Sequence, residues 1–141
     1  MIHVSQKKLD KSYRHLKQEC KKNHTDSNAK LLLFIYAIEC GIKALLLKRK
    51  NMADTFVLQN NEGTANLTHD LQALLCNLHA PYRFSSDFKF LTRSKTPETV
   101  PVKDLHQALR YGGTFYNRED KDKLKKKLDQ IDSWLQEALT R

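Results

Sequence analysis

The sequence predicts an all-α fold, a HEPN-like antiparallel bundle in the sense developed below, and three observations carry the helical part of that reading. Residues 31–47 form an almost unbroken apolar run in which only Glu39 and Lys43 are charged. Apolar residues recur at intervals of three and four in the segments on either side of it. Four glycines and three prolines in 141 residues are too few turn-formers for a sandwich or barrel of many short strands. The length fits one domain, residues 1–141, and 40% hydrophobic residues can build one core without a disulfide or metal staple.

The first helix is expected over 5–22, with Leu9, Tyr13, Leu16 and Cys20 as its apolar stripe and seven Lys or Arg residues around the rest. Residues 23–28 are turn and capping types, so the chain reverses there. The run 31–47 follows. Its 17 residues reach only about 26 Å at 1.5 Å each, short of the roughly 20 residues a bilayer span needs. Two charges near its middle make insertion worse. It reads instead as a helix buried on nearly every side, and a charge kept in such a place must be paired or must serve chemistry. Lys48-Arg49-Lys50 suit its C-terminus.

Residues 52–67 read as a polar connection, with a weak strand or turn signal at Thr55-Phe56-Val57-Leu58. Thr68 is expected to cap a third helix, with Asp70 in its first turn and Leu71, Leu74, Leu75 and Leu78 facing inward. Pro81 stops it near His79. Residues 82–100 lack periodicity and read as one long irregular loop. A short fourth helix starts near Pro101, packs Leu105, Ala108 and Leu109, and stops at Gly112-Gly113. Asn117 caps the last helix, with Phe115 or Tyr116 as a staple and Leu124, Leu128, Ile131, Leu135 and Ala138 as its core stripe. The expected total is four long helices and one short one.

Charge is lopsided. Residues 1–50 hold twelve Lys or Arg against four Asp or Glu, a net of +8 out of the formal +9. Such a field attracts polyanions or an acidic partner protein, or simply solvates a helix face. Cys20, Cys40 and Cys76 lack CxxC spacing and fall on apolar stripes, as free thiols in a reducing cytoplasm would. No secretory leader pattern is visible near the N-terminus. The six histidines show no metal-ligand spacing, so neither a metal nor a cofactor is expected.

Three clusters could carry chemistry. Glu39 and Lys43 stand one turn apart in the order that favours an ion pair. His69 and Asp70 sit at a helix start, and Arg110 with Tyr111 closes the short helix where its guanidinium can fold back over the bundle toward Glu39. Each could equally be architecture, a buried pair setting helix register. The segment 82–93 mixes Tyr82, Arg83, Phe84, Phe88, Phe90 and Arg93. Such a mixture could stack bases and hold phosphates, or its rings could pin the loop to the bundle. Arg14, Lys17 and Lys21 complete the candidate nucleic-acid contacts.

Three motifs together resemble the HEPN-like bundles of prokaryotes (higher eukaryotes and prokaryotes nucleotide-binding). They are Ala37-Ile38-Glu39-Cys40-Gly41-Ile42-Lys43-Ala44-Leu45-Leu46, then Thr68-His69-Asp70-Leu71 with Leu74-Leu75, then Leu109-Arg110-Tyr111. The resemblance implies a helical bundle, often a homodimer, with roles in toxin–antitoxin or anti-phage defence. Many members are metal-independent ribonucleases that use an Arg followed, after four to six residues, by a His. Here Arg110 meets Phe115, Tyr116 and Asn117 at that distance, and the other arginines fare no better. The expectation is therefore a non-catalytic module in the cytoplasm, off the membrane, binding nucleic acid, a nucleotide or a partner protein. Glu39, Lys43, His69, Asp70, Arg110 and Tyr111 would hold the fold or line its pocket. Two alternatives stand beside it: a ribonuclease built irregularly from Arg110, Tyr111 and His69 or His106, and an assembly module with no site of its own.

Overall fold

The computed structural model describes residues 3–22, 27–62, 69–84 and 87–141. Among the described residues are six α-helices, a single 3₁₀ turn at Val102–Asp104 and one two-stranded sheet, so the chain is mainly helical. The helices are α1 (Gln6–Lys22), α2 (Asn28–Arg49), α3 (Thr55–Glu62), α4 (Leu71–Asn77), α5 (Leu105–Arg110) and α6 (Arg118–Thr140). Three of these are long and three short, rather than four and one. No described helix is long and apolar enough to cross a membrane.

Helix α2 is the axis. Ser27 caps it by accepting from the Lys30 amide at 3.2 Å, and half of its 22 residues are buried. A helix apolar all round must be covered all round, and α1, α6, α5 and α4 all pack on it. Gly41 sets the closeness of that packing. A Cβ there would stand 3.1 Å from both Leu135 Cδ1 and Tyr13 Cδ1, so the missing side chain lets α1 and α6 close on α2 together. Of the stripe read from α6, Leu124, Leu128, Ile131 and Leu135 are fully buried, and Ala138 is partly buried against the core.

Thr55-Phe56-Val57-Leu58 is helix, not strand. Asp54 caps α3 by accepting from the Val57 amide at 2.9 Å, and Leu58 is wholly buried. Capping and burial outweigh the modest β preference of three residues. The N-terminal segment then holds α3 in place: Thr55 N–H donates to the Val4 carbonyl at 3.0 Å, and Gln6 N–H to that of Ala53 at 2.9 Å.

Thr68 lies outside the described residues, as do 23–26 of the expected reversal. The described cap of α4 is Asp70, whose carboxylate accepts from Gln72 N–H at 3.1 Å and Ala73 N–H at 3.4 Å. Asp70 therefore stands before the helix rather than in its first turn. Beyond α4, the loop expected over 82–100 contains a hairpin of β1 (Phe88–Leu91) and β2 (Pro97–Val100), antiparallel with Phe88 opposite Val100. Phe88 and Phe90 point into the core while Lys89 faces solvent. Pro97 opens β2, a place where proline is tolerated because it is the first residue of an edge strand. The cysteines part company: Cys20 is buried, Cys40 half-buried and Cys76 exposed, so Cys76 does not sit on an apolar stripe.

Candidate functional site

Burial singles out Glu39, a carboxylate only 4% exposed in the middle of α2. Its Oε2 lies 2.8 Å from Nδ1 of His69, while Oε1 is buried with no hydrogen-bond partner among the described residues. The sequence points to Lys43 as its ion-pair partner, but His69 takes that place. Lys43, half-buried one turn on, acts on Glu39 only through its charge. An Nδ1 facing an ionised carboxylate carries the proton, which leaves Nε2 on the outward side of a ring more than half exposed.

Asp70 fixes the start of α4 and so sets His69 beside α5. There the His106 ring lies 5.2 Å from that of His69, tilted by 39°, and its Nδ1 likewise has no hydrogen-bond partner among the described residues. Arg110 follows His106 by one turn. Its guanidinium is exposed, donates to the Tyr36 hydroxyl and lies 5.9 Å from the centre of that ring. Tyr36 in turn precedes Glu39 by three residues on α2, on the same face. Glu39, His69, His106, Arg110 and Tyr36 thus cluster where α2, the start of α4 and α5 meet, joined by the Glu39–His69, His69–His106 and Arg110–Tyr36 contacts. Arg110 folds back over the bundle as expected, but reaches Tyr36 rather than Glu39. Tyr111, 80% exposed, points into solvent beside it.

Tyr36 is the member that sequence reasoning missed. Its position three residues before Glu39 was the available signal, hidden because a tyrosine in an apolar run reads as core. His106 figured only in the ribonuclease alternative.

Glu39, which is buried, and His106, which is half-buried, give opposite pH dependences. Burial pushes the Glu39 carboxyl above its ordinary 4.5, against the pull of the His69 hydrogen bond and the His69 and Lys43 charges. The folded chain then keeps a proton that the unfolded chain has lost. The contribution is fully present below pH 4.5 and disappears as pH rises through the raised value. His106 is pushed below its ordinary 6.5 by burial first, then by the charges of His69 and Arg110. Its contribution is present above pH 6.5 and is lost as pH falls through the lowered value. Glu39→Gln should therefore flatten the loss of stability on the alkaline side of 4.5, read from urea midpoints between about pH 4 and 7. An unchanged slope would show that Glu39 does not titrate there.

The remaining sequence candidates divide. On α1, Arg14 and Lys21 are exposed, Arg14 alongside Asp10 at 3.4 Å. Lys17 turns inward to Asp132 at 3.0 Å with its side chain only 11% exposed, so it is committed to an ion pair and is not a free contact. Arg83 is exposed, with one guanidinium nitrogen donating to the carbonyls of Ala80 and Tyr82 at 2.6 Å each. Arg93 is exposed in the hairpin turn. Phe84, Phe88 and Phe90 are buried, which fits rings that pin the segment rather than a stacking platform. No family model matches the chain, and neither a curated protein nor a solved structure matches it.

Proposed function

We propose that this chain is a HEPN-like nucleic-acid-binding module that acts, as a homodimer, in a prokaryotic defence or toxin–antitoxin type system. The observation that carries the reading is the meeting of Arg110, His106 and His69 on one exposed face. A guanidinium and two imidazoles there can hold one phosphate of a nucleic-acid backbone, with Tyr111 beside them to stack on a base. The exposed cations of α1 add attraction at longer range. The order of the three motifs along the chain supports the HEPN-like assignment, and the meeting of their Glu39, His69 and Arg110 in one place supports a shared role.

A second reading has its own observation. The case against catalysis in the sequence was the lack of an imidazole near Arg110, and His106 and His69 supply two. One imidazole can take the 2′-hydroxyl proton as that oxygen attacks phosphorus, while the other protonates the departing 5′-oxygen. The products would be a 2′,3′-cyclic phosphate and a 5′-hydroxyl. Arg110 would stabilise the charge that builds on the phosphoryl oxygens.

Fluorescence anisotropy with labelled single-stranded RNA and duplex DNA, at low and physiological salt, tests the binding. The same samples on a denaturing gel test the cleavage. Binding to intact probe that weakens steeply with salt is the expected result. Time-dependent RNA fragments would move the conclusion to the ribonuclease. No binding at micromolar protein would overturn both and leave an acidic partner protein as the object of the positive field. The homodimer is checked separately by light scattering, as a mass of twice 16.5 kDa.

A further inference from the structure

Helix α5 carries polar groups on two different sides. His106 and Arg110, one turn apart, meet His69 and Tyr36. Asp104, Gln107, Ala108 and Tyr111 recur at helical spacing along another side and line an open cleft of about 450 Å³ against the β hairpin. That volume is of the order a small ligand occupies, so one base and its sugar fit.

The register of the hairpin places the opposite wall. Phe88 stands across from Val100, and Phe90 from Glu98. Residues directly opposite share one face of a sheet, so Glu98 lies on the side that Phe88 and Phe90 bury, yet it is exposed. Gly113 closes the end of the cleft near Tyr111. A Cβ there would stand 2.6 Å from the Ala108 carbonyl oxygen and 3.0 Å from Phe90 Cδ2, so the missing side chain lets the chain after α5 lie against β1. At the other end the chain runs from Val100 through Pro101 to Asp104. Glu98, across from Phe90, therefore stands toward the Tyr111 end. Among the described residues no hydrogen bond or ion pair engages the side chains of Glu98 and Gln107, and the Asp104 carboxylate does not cap α5.

Carboxylates repel phosphate, so a strand held at Arg110 has to bring the donors of a base into this cleft. Guanine alone carries N1–H and N2–H side by side on its Watson–Crick edge, a pair that the two oxygens of one carboxylate can accept. Adenine and cytosine set an acceptor beside their amino group, and uracil flanks its N3–H with two carbonyls. The Gln107 amide can donate to guanine O6, and the exposed Tyr111 ring offers a stacking surface.

We infer that this cleft selects guanine in a single strand whose phosphate lies on Arg110, with Glu98 accepting from N1–H and N2–H, Gln107 donating to O6 and Tyr111 stacking on the base. The inference rests on the nucleic-acid-binding reading and adds base selectivity to it.

Anisotropy with labelled oligouridylate probes tests it, each carrying one guanine, inosine, adenine or cytosine at its centre. The guanine probe should bind about tenfold more tightly than the adenine, cytosine and all-uridine probes. Inosine, which lacks the N2 amino group, should lose most of that advantage. Glu98→Gln should abolish the preference without weakening the adenine probe, and Glu98 is exposed, so the fold does not depend on it. Asp122→Asn, at an exposed carboxylate of α6 outside the cleft, should leave the preference as it is. Arg110→Ala should weaken every probe alike and keep the order among them. Equal affinity for all probes would overturn the inference while leaving the nucleic-acid-binding reading standing, and so would a guanine preference that survives Glu98→Gln. No binding of any probe would sink that reading. Calorimetry with guanosine 5′-monophosphate against adenosine 5′-monophosphate then reads the cleft by itself. A guanine preference lost in Glu98→Gln would uphold it, and equal or absent binding of the two nucleotides would overturn it as well.

Discussion

Asp132→Ala should cost about 3 kcal/mol, the low end for breaking a buried ion pair by removing one partner. For a chain of this length that lowers the melting temperature by about 10 °C. Asp132 sits on α6 and serves two groups of α1. Lys17 reaches it at 3.0 Å, and the side chains are only 11% and 17% exposed. Tyr13, itself 1% exposed, donates its hydroxyl to the same carboxylate. Burial is the main reason the Tyr13 phenol resists ionisation, and the bond to Asp132 adds to it, so the group remains a donor at any working pH. Removing the carboxylate takes the charged partner from an ammonium and the closer acceptor from a hydroxyl together, leaving the ammonium only the Tyr13 hydroxyl at 3.3 Å and the hydroxyl only the Asp132 backbone carbonyl at 3.4 Å. Asp132→Asn keeps an acceptor for Tyr13 and should cost less. Tyr13→Phe leaves the ion pair whole and should cost least. Urea unfolding of the three variants gives the order. Asp132→Ala no more costly than Tyr13→Phe would mean that Lys17 finds water when its partner goes.

How much of this was legible follows from where each signal lives. The periodicity of α1 and α6 and the unbroken apolar run of α2 are each carried by many residues, so the three helices read directly from the chain. The short elements carry too few residues for that. In α3 the decisive residues are Asp54 as cap and Leu58 as anchor, and neither outweighs a β-branched run until the fold supplies the burial. The β hairpin alternates only over Phe88-Lys89-Phe90, and Pro97 masks its second strand. The cluster of polar groups was half legible for a related reason. A carboxylate in an apolar helix is conspicuous on any reading, whereas its partner is set by which element packs over it. Lys43 lies one turn away in sequence and loses Glu39 to His69, thirty residues on, because the start of α4 places an imidazole against the open side of α2. Lys17 is the converse: its neighbours on α1 suggest an exposed basic face, and only the packing of α6 turns it inward.

Arg110→Ala should weaken RNA binding about tenfold or more at physiological salt, while leaving the melting temperature unchanged. The guanidinium is exposed and its bond is to the Tyr36 hydroxyl at the surface, so the core does not depend on it. A loss of one charge-assisted phosphate contact has that scale. It should also shallow the dependence of log affinity on log salt by about 0.7, one phosphate's worth for a single strand. Lys21→Gln should shift the salt dependence similarly with a smaller loss of affinity, since a lone ammonium on α1 lacks the imidazoles that surround Arg110. If RNA fragments appear, His69→Ala and His106→Ala should abolish them and keep binding, whereas Arg110→Ala should lose both. Undiminished RNA binding in Arg110→Ala, with the salt dependence unchanged, would sink the phosphate subsite and leave the cluster of Glu39, His69, His106 and Tyr36 as architecture.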